Sequence, residues 1–112
     1  MKTLVMTPRF PPARCGVGDY AAEMVRALAD ADSQFVVLTE PARDARPSDI
    51  QVVEQAMRGW RDLRAVLRLI RREGPEWVQL EYSQYGWHRL GCAFWLNALF
   101  IALAWRGIRI RL

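Results

Sequence analysis

The feature that most constrains this chain is an alternation of two kinds of segment. Short stretches rich in aliphatic and β-branched residues are separated by longer stretches whose apolar positions recur at helical spacing. Thr3–Met6 is a mainly apolar run, suited to a strand buried on both faces. "QFVVLT" (34–39), "IQVVEQ" (50–55), "EWVQLEY" (76–82) and "IRIRL" (108–112) predict four further strands. Between them, Tyr20, Met24, Ala27, Leu28 and Ala31 predict the apolar face of a helix from Asp19 to about Ala31. Trp60, Leu63, Val66, Leu67 and Ile70 predict another over 60–73, stopped by Gly74-Pro75. Leu90 to Trp105 predicts a third, strongly apolar and ended by Gly107.

Strands alternating with helices imply a parallel sheet with right-handed crossovers. The expected fold class is α/β, a Rossmann-like parallel sheet of about five strands with flanking helices, in one domain over residues 1–112. With 52% hydrophobic and 25% charged residues, a packed core is expected. "EPARDARPSD" (40–49) reads as a surface loop and not as a domain boundary. Two cysteines, Cys15 and Cys92, are too few for a disulfide scaffold and lack zinc-type spacing. The opening "MKTLVMTPRF" lacks the apolar run of a signal peptide, so the cytoplasm is the expected location. All but one of the 16 cationic residues are arginine, and the net charge of +4 favours anionic partners such as phosphates, nucleotide sugars or acidic lipid surfaces. No nucleic-acid motif is present, and nucleic acid is not an expected partner.

In such a fold ligands bind at the carboxyl ends of the strands, near the point where strand order reverses. "FPPARCGVGDYAAEM" (10–24) falls there. Gly16 and Gly18 have a plain reading as turn formers, because glycine tolerates positive φ. Their functional reading is that they let backbone N–H groups approach an anion at the positive end of a helix. No Walker loop is present. A cysteine phosphatase loop would need an arginine where Ala21 stands. Gly16-Val17-Gly18-Asp19-Tyr20-Ala21 fits the dinucleotide fingerprint GxGxx[GA], with Glu40 near the expected ribose-binding acid. That fingerprint wants its first glycine just after the strand, yet nine residues separate Met6 from Gly16.

The longer loop supports another comparison. "TPRFPPARCGVGDYAAEMVRAL", "FVVLT" and "EWVQLEYSQYGW" together resemble the amino-terminal lobe of the retaining family-4 glycosyltransferases, which have two Rossmann-like lobes of GT-B type. The resemblance covers nearly the whole chain. It implies that Gly16, Val17, Gly18 and Asp19 face the donor's sugar-diphosphate in an interlobe cleft. It implies that Glu81, Tyr82 and Tyr85 line the acceptor side of that cleft; the family often has histidine where Glu81 stands. The implied function is transfer of a sugar from a nucleotide-sugar donor to a glycan or lipid-linked acceptor. No cofactor and no metal are implied. The carboxyl-terminal lobe, with its nucleotide pocket and E-x7-E pattern, has no counterpart in these residues, so the chain alone is expected to be inactive and prone to associate through "IRIRL". A nicotinamide-dependent oxidoreductase fragment and a non-catalytic binding module stay open beside this reading.

Three further features carry weaker expectations. His88, the sole histidine, is a candidate proton shuttle at the acceptor hydroxyl, although an exposed loop histidine is the plainer reading. Cys15 lacks an identifiable base nearby and reads as a small loop residue. Arg61, Arg64, Arg68 and Arg71, with Arg72 beside them, form a stripe that reads first as a solvated helix face; peripheral contact with the anionic inner face of a membrane is its functional alternative. The apolar segment 90–105 falls short of the ~20 residues a spanning helix needs and reads as a buried crossover helix.

Overall fold

Leu4, Val5 and Met6 are completely buried, as an uninterrupted apolar run demands of a strand covered on both faces. A computed structural model of the chain describes residues 1–7, 16–30, 32–41, 46–57, 59–80 and 94–111. In chain order these form β1 (Lys2–Met6), α1 (Gly16–Leu28), β2 (Gln34–Thr39), β3 (Gln51–Glu54), a 3-10 turn (Trp60–Asp62) leading into α2 (Leu63–Glu73), β4 (Trp77–Leu80), a helix here named α3 (Phe94–Trp105), and β5 (Arg109–Arg111). The strands make one parallel sheet in the order β3-β2-β1-β4-β5. The chain is therefore an α/β protein with a Rossmann-like sheet, and β1 is its central strand.

The strand alternation divides the core in two. On one face Val5 and Val37 pack against Ala21, Ala22 and Val25 of α1, with Ile50 beside them. On the other, Leu4, Met6, Leu38, Val78 and Leu80 meet Val66, Leu69 and Ile70 of α2 and Trp95, Leu96, Leu99 and Leu103 of α3. This places α1 on one side of the sheet and α2 with α3 on the other, as a doubly wound fold requires.

The helices start and turn differently from the sequence expectation. α1 begins at Gly16, so the glycine pair forms its first turn. Its buried face is Ala21, Ala22 and Val25, whereas Tyr20 and Leu28 are exposed and Ala27 lies outside. Alanines give the sheet a flat surface to approach, which outweighs the larger but less well placed Tyr20. In α2 the buried positions are Val66, Leu69 and Ile70, and Trp60 is exposed. Gly74 stops α2 in the left-handed conformation (φ 60°, ψ 44°), its N–H donating to the Ile70 carbonyl at 3.0 Å.

β5 is short, and its outer residues Arg109 and Arg111 are exposed. Both guanidiniums lie over the Trp77 ring of β4, with centroid distances of 5.5 and 4.6 Å. A three-residue strand carrying two arginines is a poor template for pairing, which works against association through this edge.

One surface tie links α1 to the segment before β3. Arg26 donates from Nε and Nη2 to the Asp49 carboxylate at 2.7 and 3.3 Å. The hydrogen bond from Arg26 holds the Asp49 carboxyl below the usual aspartate value and raises the Arg26 guanidinium further. A depressed carboxyl stabilises the fold above its unfolded value and loses that contribution as the pH falls through its folded value. Asp49→Asn should thus lower the melting temperature slightly at neutral pH, the pair being exposed. The gap between the two proteins should close once the pH drops well below the ordinary aspartate value of about 3.9. Melting curves across that range test this, and a gap independent of pH would assign the effect to something other than the ion pair.

Candidate functional site

The strand order reverses between β1 and β4, the two strands that flank the switch point. The carboxyl ends of β1, β2 and β4 define the edge where a ligand belongs. α1 starts at that edge, so its first turn, Gly16-Val17-Gly18-Asp19, presents the positive end of a helix beside the switch point. The structure thus puts these four predicted residues at the edge where the fold family binds its ligands. Glu81, Tyr82, Tyr85 and His88 follow β4 in sequence and lie outside the described residues, as do Cys15 and Cys92.

Two residues at this edge were not picked out by the sequence reading. β1 and β2 end in the same pattern, "LVMT" and "VVLT". Met6 pairs with Leu38, so Thr7 and Thr39 are the next pair in register. Thr7 continues the ladder, its N–H donating to the Leu38 carbonyl at 3.0 Å. Both threonines are fully buried. Alternation puts Thr39 on the face of Val37, which is the face that α1 covers. The Thr39 hydroxyl is buried and has no hydrogen-bond partner among the described residues. The signal was legible: a hydroxyl closing each of two apolar runs at the carboxyl end of a strand.

Beyond β2 the edge is braced. The Gln55 N–H donates to the Thr39 carbonyl at 2.9 Å, and the Met57 N–H donates to Oε1 of Glu40 at 2.8 Å. The Arg46 side chain donates to the Glu40 carbonyl and lies 3.7 Å from the Glu54 carboxylate. Glu40, the predicted ribose-binding acid of the dinucleotide reading, therefore uses one carboxylate oxygen to fasten β2 to the segment after β3. Among the described residues no group of three or more His, Cys, Asp or Glu side chains could hold a metal ion. Among them also, no helix is long and apolar enough to cross a membrane.

What the fold and this edge define is a Rossmann-like α/β domain with a helix N-terminus at its switch point. No protein-family model, no curated protein and no solved structure matches the chain significantly.

Proposed function

We propose that the chain is the acceptor-side, amino-terminal lobe of a glycosyltransferase that moves a sugar from a nucleotide-sugar donor to a glycan or lipid-linked acceptor. The observation that carries the reading is the position of the Gly16–Asp19 turn: it opens α1 at the carboxyl edge, next to the switch point between β1 and β4. Backbone N–H groups at a helix start suit a sugar-diphosphate, and glycines keep side chains out of its way. The engagement of Glu40 with Met57 favours this reading over a dinucleotide, whose ribose would need that carboxylate. In the glycosyltransferase reading Glu81, Tyr82 and Tyr85 follow β4 toward the acceptor, and His88 is a weaker candidate near the acceptor hydroxyl. The donor is a substrate, with no cofactor or metal assigned. The protein works in the cytoplasm, peripherally at the inner face of a membrane when its acceptor is lipid-linked. In this reading the other wall of the cleft comes from a second lobe.

Amide-resolved NMR titration of the chain tests the reading. Uridine or guanosine diphosphate sugars should shift the amides of Gly16–Asp19, Thr7 and Thr39, and Gly18→Val should abolish those shifts while preserving the rest of the spectrum. No nucleoside diphosphate should be released by the chain alone. Tighter binding of NAD, lost on Glu40→Ala, would replace the proposal with the dinucleotide reading.

A further inference from the structure

On the opposite face of the sheet from α1, a groove of about 300 Å³ runs between α2 and the end of α3. Arg64, Leu67, Arg68 and Arg71 of α2 line it together with Arg106, the residue after α3. All four arginines are exposed, and among the described residues no carboxylate lines the groove. Helical spacing explains why three of them share one side of α2: Arg64, Arg68 and Arg71 stand four and three residues apart. Arg106 comes from a different element, so the cluster is a product of the tertiary fold and not of one helix.

Among the described residues, the charges in this groove have no counter-charge in contact with them. α2 carries Arg64, Arg68, Arg71 and Arg72 against a single acid, Glu73. Glu73 faces elsewhere: Lys2 Nζ donates to its carboxylate at 3.1 Å and to its carbonyl at 2.7 Å. Like charges at helical i,i+4 spacing repel one another, and the groove's guanidiniums have no ion pair among the described residues. Arginine at a helix C-terminus complements the helix dipole, which accounts for Arg71 and Arg106 singly. It does not account for Arg64 and Arg68, which lie earlier in α2. An external anion satisfies all of them together. Guanidinium forks bind phosphate oxygens bidentately, and the volume is at the small end of ligand pockets, about 300–1,000 Å³. That suits a phosphate group or two, not a whole nucleotide sugar.

We propose that this groove is a binding site for a phosphate-bearing group, best a diphosphate or a cluster of phosphomonoesters. The site is independent of the glycosyltransferase reading, because it lies on the other face of the sheet from the Gly16–Asp19 turn. The phosphate can belong to a soluble diphosphate or to a lipid headgroup. Ile101 and Trp105, one helical turn apart on α3 and both exposed, lead up to Arg106, and an indole beside arginine is suited to a headgroup layer.

The test uses the intact chain, with pyrophosphate titrated by calorimetry and vesicles of phosphatidylcholine with and without phosphatidic acid in a sedimentation assay. Two charge-reversed proteins are compared. Arg68→Glu with Arg106→Glu alters the groove from both of its elements. Arg61→Glu with Arg72→Glu makes the same change in net charge outside it. Circular dichroism verifies that both fold. The groove pair should weaken binding by at least about tenfold, and the control pair by far less. Pyrophosphate binding with that dependence supports the site with a soluble ligand; binding to phosphatidic acid vesicles alone, with the same dependence, supports it with a lipid. Equal losses in both pairs would mean diffuse surface charge and overturn the site. So would an absence of binding to either probe.

Discussion

Trp95→Ala should lower the unfolding free energy by about 3–5 kcal/mol, while Trp105→Ala should change it by less than about 0.5 kcal/mol. The two tryptophans lie on the same helix, α3, near its opposite ends. Trp95 is 1% exposed and packs among Leu4, Met6, Val78, Leu99 and the other side chains under the sheet; Trp105 is 87% exposed. Truncating Trp95 removes the largest buried side chain of the chain's described core and leaves a cavity that the flanking leucines fill only in part. Domains of this size are stable by only about 5–15 kcal/mol, so the loss is a large share of the total. Urea denaturation followed by circular dichroism measures both variants. The midpoint should shift for Trp95→Ala and stay in place for Trp105→Ala, with slopes unchanged. A large loss for Trp105→Ala would mean that the exposed end of α3 is covered in solution by a second copy.

That contrast marks the limit of what the sequence discloses. In α3 almost every side chain is apolar and Asn97 is the only polar one, so no periodicity tells the inside from the outside. Which tryptophan is buried follows from where the sheet lies, and only the fold supplies that. The order and type of elements were legible, because β1 and β2 are built on compact apolar runs and α2 has a strongly two-sided pattern that ends at a glycine. α1 misled for a physical reason. Its contact with the sheet is made by Ala21 and Ala22, small residues that carry little weight in a hydrophobic pattern, while Tyr20 and Leu28 point outward. The glycine pair was recognised as a feature of the strand-to-helix junction, yet it proved to be the helix's own first turn. The arginine groove was half visible. Its α2 stripe could be counted along the sequence, but Arg106 joins it across 34 intervening residues, a gap that only the packing of α3 on α2 closes.

Thr39→Val should raise the unfolding free energy by about 1 kcal/mol or more, and it should weaken any ligand held at the carboxyl edge. Valine matches threonine in shape and replaces only the hydroxyl by a methyl. Thr39 is fully buried at the end of β2, and its Oγ1 has no hydrogen-bond partner among the described residues. A buried hydroxyl without a partner costs roughly 1–3 kcal/mol of desolvation. The methyl does not carry that cost, and β-branching is kept, so the strand geometry is undisturbed. The backbone role of the residue also survives, since the Thr39 carbonyl still accepts from the Gln55 N–H. A natural sequence that retains a destabilising hydroxyl at the ligand edge is expected to use it, and a diphosphate or sugar oxygen seated beside the Gly16 turn is the partner that the proposed function supplies. Thermal and urea unfolding should therefore show the valine protein as the more stable one. The same protein should respond to a nucleotide sugar with smaller amide shifts at Gly16–Asp19 than the parent chain. A valine protein less stable than the parent would show that the hydroxyl is hydrogen-bonded in solution. A more stable one with unchanged ligand response would remove Thr39 from the site and leave the helix turn to hold the anion by itself.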